Sequence, residues 1–191
     1  NLNQLELDSN PLIASTAMPI ILAFEDSGVY VDYDEMLYIP DANLLAKLET
    51  ILGKDGETPI SVEEMQSISQ PLSLGSLGIT DATGLEFCTS VSELDLSGNQ
   101  ISDLAPLSNL NSLVSLNLSQ NQISYIGYPG SLANLTNLAT LDLRGNSLTG
   151  TAGRIIQILE ENGTTVEYDQ LPEVVGVNIP DANLQSALRN M

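Results

Sequence analysis

The chain has 191 residues, 25 of them Asp or Glu against 5 Lys or Arg, for a formal net charge of −20. Such an acidic surface repels a polyphosphate at long range, which argues against nucleic acid as a partner, and 42% hydrophobic residues are ample for a core. Histidine is absent, which removes Ser-His-Asp and Cys-His catalysis, histidine zinc sites and histidine pH switching together.

The single Cys88 has no partner for an internal disulfide. No run reaches the roughly 18 apolar residues of a membrane span, and the opening NLNQLELD has neither a charged n-region nor an apolar h-region.

The first element, LNQLELDSNPL from Leu2, matches LATLDLRGNSL from Leu138, an offset of 136, and the stretch from Ala17 to Asp34 matches the one ending at Asp169, an offset of 135. Residues 1–35 therefore read as the tail of one module: a last repeat, a capping helix and an edge strand. Lacking the preceding turns, residues 2–34 are expected to dock on the following cap or on a neighbouring molecule, with exchange between chains as one route to self-association.

Next, IPDANLLAKLETILG predicts a helix with Pro40 near its start, Leu44, Leu45, Leu48, Ile51 and Leu52 on one face and Gly53 as its stop. SVEEMQSI predicts a second helix, opened by a capping box from Ser61 to Glu64, with Met65 and Ile68 pointing inward.

Three copies of LxxLxLxxNxL follow: VSELDLSGNQI from Val91, LVSLNLSQNQI from Leu113 and LATLDLRGNSL from Leu138. A weaker copy from Ser69 carries Leu77 in place of the Asn. The starts at 69, 91, 113 and 138 are spaced 22, 22 and 25, and Gly127, Tyr128, Pro129 and Gly130 account for the longer spacing as a loop insertion. In each LxLx stretch the leucines alternate inward as a short strand, so stacked turns form a parallel sheet. Asn99, Asn121 and Asn146 form a structural ladder whose amides bond backbone groups of neighbouring turns. ISDLAPLSNL returns the chain along the outer side, with Leu104, Leu107 and Leu110 filling the core, and Cys88, aligned with Leu110, reads as a buried small hydrophobe.

Behind the repeats, TAGRIIQILEENG predicts a third helix ending at Gly163, and TVEYD a last strand with Val166 and Tyr168 in register with the leucines. At the far end IPDANLQSALRN repeats IPDANLLAKLE at an offset of 140. The organisation expected is a complete module over 36–173, comprising a helical cap (36–68), repeats (69–150) and a C-terminal cap (151–173), with a following module's cap starting at 174–191.

The run IPDANLLAKLETILGK, ISVEEMQSI and GITDATGLEFCTSVSELDLSGNQISDLAPLSNL resembles the helical cap and first repeats of internalin-type bacterial leucine-rich-repeat proteins, over about residues 36–170. That resemblance implies an α/β fold, a right-handed solenoid with a parallel β-sheet on its concave face, and an extracellular or bacterial cell-surface location. It also implies a non-enzymatic module that binds another macromolecule through the sheet.

The outward strand positions make three rows: Glu93, Ser115, Thr140, Thr165; then Ser73, Asp95, Asn117, Asp142, Glu167; then Gly75, Ser97, Ser119, Arg144, Asp169. Glu93, Asp95, Asn117, Asp142, Arg144 and Glu167 are the candidate contacts for a protein or glycan ligand. Asp142 and Glu167, on adjacent strands about 4.8 Å apart, approach the spacing of a retaining glycosidase pair, but Arg144 sits where it neutralises them and no aromatic platform for a sugar stands beside them. No catalytic residue is assigned. No DxDxDG loop with its twelfth-position Glu occurs, so neither a metal site nor a cofactor is expected. The rival reading is a spacer module in a surface stalk with no tight ligand, favoured by serines where binding hot spots prefer Trp, Tyr or Arg.

Overall fold

The computed structural model describes residues 4–6, 30–32, 37–56, 58–127 and 132–171. Two parallel strands come first, β1 (Gln4–Glu6) and β2 (Tyr30–Asp32), in the register Gln4↔Tyr30. Helices α1 (Ala42–Leu52) and α2 (Val62–Ser67) follow. A five-stranded parallel sheet then runs in chain order through β3 (Leu72–Ser73), β4 (Glu93–Asp95), β5 (Ser115–Asn117), β6 (Thr140–Asp142) and β7 (Thr165–Glu167), with α3 (Ala152–Glu161) between the last two.

The sheet is short-stranded because in β3–β6 only one Leu of each strand and the Leu two residues on face inward. Leu72, Leu94, Leu116 and Leu141 pair across the ladder, and Leu74, Leu96, Leu118 and Leu143 form the next buried tier. Each such leucine gains roughly 1.5–3 kcal/mol on burial, and a turn alone has nothing to bury it against, so stability arises between turns. On the opposite side, 3₁₀ turns at Leu85–Phe87, Ala105–Leu107 and Leu132–Asn134 bring Leu85, Leu107 and Leu132 into the core. Leu104, Leu110 and Cys88 are buried there too.

Each of the strands β3–β6 leads to a residue in the left-handed region: Ser76 (φ 58°), Gly98 (φ 67°), Gln120 (φ 56°) and Gly145 (φ 70°). These residues stack in pairs. A Cβ on Gly98 would lie 2.7 Å from Ser76 Oγ, and a Cβ on Gly145 would overlap the Gln120 side chain. Side-chain-bearing and bare residues therefore alternate along the row.

The next residue is the ladder Asn, and each amide serves the turn before its own. Asn99 donates to Leu74 O (2.9 Å) and accepts from Ile79 N (3.0 Å). Asn121 donates to Leu96 O (2.9 Å) and accepts from Ile101 N (3.0 Å). Asn146 donates to Leu118 O (2.9 Å) and accepts from Ile123 N (3.0 Å). Each also closes its own turn by donating to the carbonyl three residues back. Leu77 fits the first turn because that turn has no earlier one to serve.

In place of an earlier turn stands the helical pair. Asp41 caps α1, accepting from Asn43 N and Leu44 N at 3.0 Å, and its second oxygen accepts from Thr80 N (2.8 Å) and Thr80 Oγ1 (2.9 Å). Burial opposes charge on Asp41, and the hydrogen bonds from Thr80, Leu44 and Asp81 outweigh it, so its pKa lies below the ordinary value. Gly53 ends α1 in the left-handed conformation (φ 69°), and the Ser61/Glu64 capping box opens α2. Lys54, with only 9% of its side chain exposed, donates to both Glu64 oxygens at 2.7 and 2.8 Å, tying the two helices together.

At the other end, α3 buries Ala152, Ile156 and Leu159, and Thr164 Oγ1 donates to Leu138 O at 2.7 Å. Val166 pairs with Leu141 and is half-buried. Tyr168 departs from the inward position expected of it: it is 38% exposed, because no further turn exists among the described residues to pack over it. Tyr125 is exposed as well, while Tyr128, Pro129 and Gly130 of the loop insertion lie outside the described residues. So do most of residues 1–35 and all of 174–191.

Candidate binding face

The rows inferred from spacing coincide with the register of the sheet: Glu93↔Ser115↔Thr140↔Thr165, and Asp95↔Asn117↔Asp142↔Glu167. They place Glu93, Asp95, Asn117, Asp142 and Glu167 on the outward side of β4–β7, with Arg144 two residues beyond Asp142. In the first row Thr140 Oγ1 donates to Ser115 Oγ at 3.0 Å.

The charged end of the face is a closed ion-pair group. Arg144 Nη2 lies 2.6 Å from Asp142 Oδ2 and 2.9 Å from Glu167 Oε2, and Nε donates to Asp142 Oδ1 at 3.0 Å. The guanidinium's hydrogen bonds hold the Asp142 carboxyl below its ordinary pKa despite partial burial, and Asp142 in turn raises that of Arg144. Asp169 accepts from Gly145 N.

The sequence reading missed a second use of the middle row. Asp95 Oδ1 accepts from Ser97 N (2.9 Å), Asn117 Oδ1 from Ser119 N (3.0 Å) and Asp142 Oδ1 from Arg144 N (3.0 Å). Each closes the bend at a strand end by a side-chain turn between residues i and i+2. The signal was available, since Asp or Asn two residues before the bend is its usual composition. Three of the six candidate contacts thus also hold backbone, and one oxygen of each faces the bend rather than solvent.

Between these rows lies a shallow open depression of about 280 Å³, lined by Ser115, Asn117, Thr140, Asp142, Arg144, Thr165 and Glu167 together with the backbone of the buried leucines. Its walls are hydroxyls, amide and charge, with no aromatic ring. Among the described residues no group of three or more Cys, Asp or Glu side chains is arranged to hold a metal ion, and no helix is long and apolar enough to cross a membrane.

The family of leucine-rich repeats in two copies matches residues 89–130. Among solved structures, an internalin (inlF) from Listeria monocytogenes is 30% identical, with a TM-score of 0.59, over 73% of this chain and 37% of its own. Internalin C2 (inlC2) from the same species is 27% identical, with a TM-score of 0.58, over 72% of this chain and 58% of its own. The chain has the leucine-rich-repeat solenoid fold of the internalin type. It spans less than two thirds of either solved internalin, and no curated relative matches it by sequence. The internalin-like solenoid is the architecture of a protein-interaction module, with outward side chains repeated at the strand spacing.

Proposed function

We propose that this internalin-like chain is a non-enzymatic interaction and adhesion module of a tandem bacterial surface protein, binding a macromolecular ligand through the exposed face of β4–β7. The observation that carries this reading is the depression across β5–β7, where hydroxyls, an amide and a pre-formed Asp142–Arg144–Glu167 group converge on a rigid sheet. Preformed, regularly spaced polar groups lose little entropy when a ligand docks. A protein ligand fits best, since the face offers no ring for a sugar to stack on. Tandem organisation is supported by the pairing of β1 with β2: the 136 and 135 offsets carry Gln4–Glu6 onto Thr140–Asp142 and Tyr30–Asp32 onto Thr165–Glu167, and both pairs are parallel with equivalent partners.

The test is capture of surface proteins and arrayed glycans by the full chain beside a variant carrying Glu93→Gln, Asp142→Asn, Arg144→Gln and Glu167→Gln. Asp142→Asn keeps the oxygen that accepts from Arg144 N, so the fold survives while charge is removed. A partner held by the parent and lost by the variant supports the reading; equal capture by both refutes a role for this face.

The spacer reading draws on one observation, the mutual satisfaction of Arg144, Asp142 and Glu167, which leaves the strongest charges already paired. Failure of any partner to bind the parent chain would favour it. Catalysis gains no support, because a base held ionised by a guanidinium on two of its bonds is poorly placed to exchange protons at neutral pH.

A further inference from the structure

In the depression across β5–β7 the acceptor oxygens of the middle row are committed to the protein itself. Asn117 Oδ1 accepts from Ser119 N (3.0 Å) and from Ser119 Oγ (2.7 Å). Asp142 Oδ1 accepts from Arg144 N and Nε, each at 3.0 Å, and Oδ2 from Nη2 at 2.6 Å. Glu167 Oε2 lies 2.9 Å from the same Nη2.

The donors are placed differently. Because a backbone N–H fixes Asn117 Oδ1, the amide's Nδ2 is turned the other way, and among the described residues it meets no acceptor. Arg144, its side chain 55% exposed, uses Nε and Nη2 in its ion pairs, and among the described residues Nη1 meets no acceptor either. Thr140 donates to Ser115 Oγ, so the Ser115 hydroxyl is left to donate onward. Asn117, Arg144 and Ser115 all line the depression.

Asn117 differs from its neighbours in the row. Asp95 and Asp142, on either side of it in register, close the same bend with one carboxylate oxygen each, so the bend requires only an oxygen here. What the amide adds is a pair of N–H donors and one negative charge fewer.

The surrounding charge decides which acceptor fits. The depression holds two carboxylates, Asp142 and Glu167, against one guanidinium, and on β4 neither Glu93 nor Asp95 has a cationic partner among the described residues. Such a field repels a carboxylate or phosphate and attracts a cation. Neutral carbonyl oxygens flanked by a positive side chain meet both requirements, and peptide backbone beside a Lys or Arg has that chemistry. Glu93 and Asp95, two residues apart on one face of a strand, stand about 7 Å apart, within reach of one such side chain.

We propose that the ligand of this face is an extended segment of a protein, whose main-chain carbonyls accept from Asn117 Nδ2 and Arg144 Nη1 while a Lys or Arg side chain lies against Glu93 and Asp95. The inference rests on the binding-face reading and specifies its partner.

Selection by the full chain from a displayed library of random short peptides, followed by titration of the recovered peptides in synthetic form, tests it. The recovered sequences are expected to be enriched in Lys and Arg, and their affinity to fall as salt is raised. Asn117→Asp keeps the oxygen that closes the bend, removes the N–H donors and adds a negative charge, which by itself would tighten the binding of a cationic peptide. The expected result is the reverse, a loss of about tenfold for two hydrogen bonds; equal or tighter binding overturns the carbonyl contacts. Glu93→Gln is expected to weaken binding about twofold to fivefold and to flatten its salt dependence, and no change overturns the cationic contact. A library that yields no bound peptide, or peptides without an excess of Lys and Arg, overturns the inference. The binding-face reading falls with it only if the capture test with the charge-removed variant also finds no partner that depends on this face.

Discussion

A single carboxylate oxygen of Asp41 accepts both the backbone N–H and the hydroxyl of Thr80, at 2.8 and 2.9 Å. The residue that starts the first cap helix is thus the one that holds the helix onto the first outer turn. Replacing it by Asn keeps an N-cap acceptor but turns an NH₂ toward three donors, and a buried donor left unpaired costs about 1–3 kcal/mol. Asp41→Asn is expected to lower unfolding stability by that amount, read from denaturant midpoints.

The same residue sets an acid limit. Asp41 and Glu64 both have folded-state pKa values below their ordinary ones: burial opposes the charge in each, and hydrogen bonds outweigh it, from Thr80 and Leu44 for Asp41 and from Lys54 and Ser61 for Glu64. The unfolded chain therefore binds more protons in this range, so stability rises with pH. Their contribution is complete above the unfolded values of about 4 and is lost as pH falls through the depressed folded values. Melting temperatures should be nearly flat from pH 7 to about 5, attributable to these two groups, and fall below about 4, with a shallower fall in Asp41→Asn. An equal fall in both proteins would show that Asp41 is not responsible.

Asn121 is the central rung of the ladder and is nearly buried. Asn121→Leu would leave Leu96 O, Leu118 O and Ile101 N without the amide. At about 1–3 kcal/mol for each unsatisfied group, a loss of at least about 3 kcal/mol is expected in equilibrium unfolding. A loss below about 1 kcal/mol would mean that water replaces the amide.

Gly145→Ala combines two penalties, a left-handed backbone that costs a residue with a Cβ roughly 1–2 kcal/mol and overlap with Gln120. The second penalty is removable. Gln120→Gly in the same chain should recover part of the loss, giving a favourable coupling of about 0.5–3 kcal/mol in a double-mutant cycle. Strict additivity would show that the two side positions do not meet.

Cys88 is buried, and burial together with the nearby Glu86 charge pushes its thiol up to about 12. A disulfide reagent at pH 8 should label it only in denaturant. Rapid labelling of the native protein would mean that the outer turns open readily.

The repeats and their register were legible because a period of leucines carries its own alignment: once Leu94, Leu116 and Leu141 are matched, the outward residues fall into rows. The Asn ladder was legible for the same reason. The Asp41–Thr80 link was not, since it joins residues 39 apart in the sequence and occurs once, with no second copy to reveal it. Asp95, Asn117 and Asp142 were read as surface for a ligand because alternation says only that they point outward. Their bond to the N–H two residues on depends on where the strand ends, which periodicity does not mark. Tyr168 was placed inward by the same alternation, but among the described residues no further turn packs over it, as one does over Leu74, Leu96, Leu118 and Leu143.

The alternation of Ser76 with Gly98 and of Gln120 with Gly145 makes neighbouring coils unequal. Excising the coil that holds Gly98 would set Ser76 directly beside Gln120, and copying the coil that holds Gln120 would set two long side chains in one slot. Lengthening or shortening this stack, by gene duplication or by a protein engineer, is therefore easiest in steps of two coils, or in single steps that bring a glycine with them.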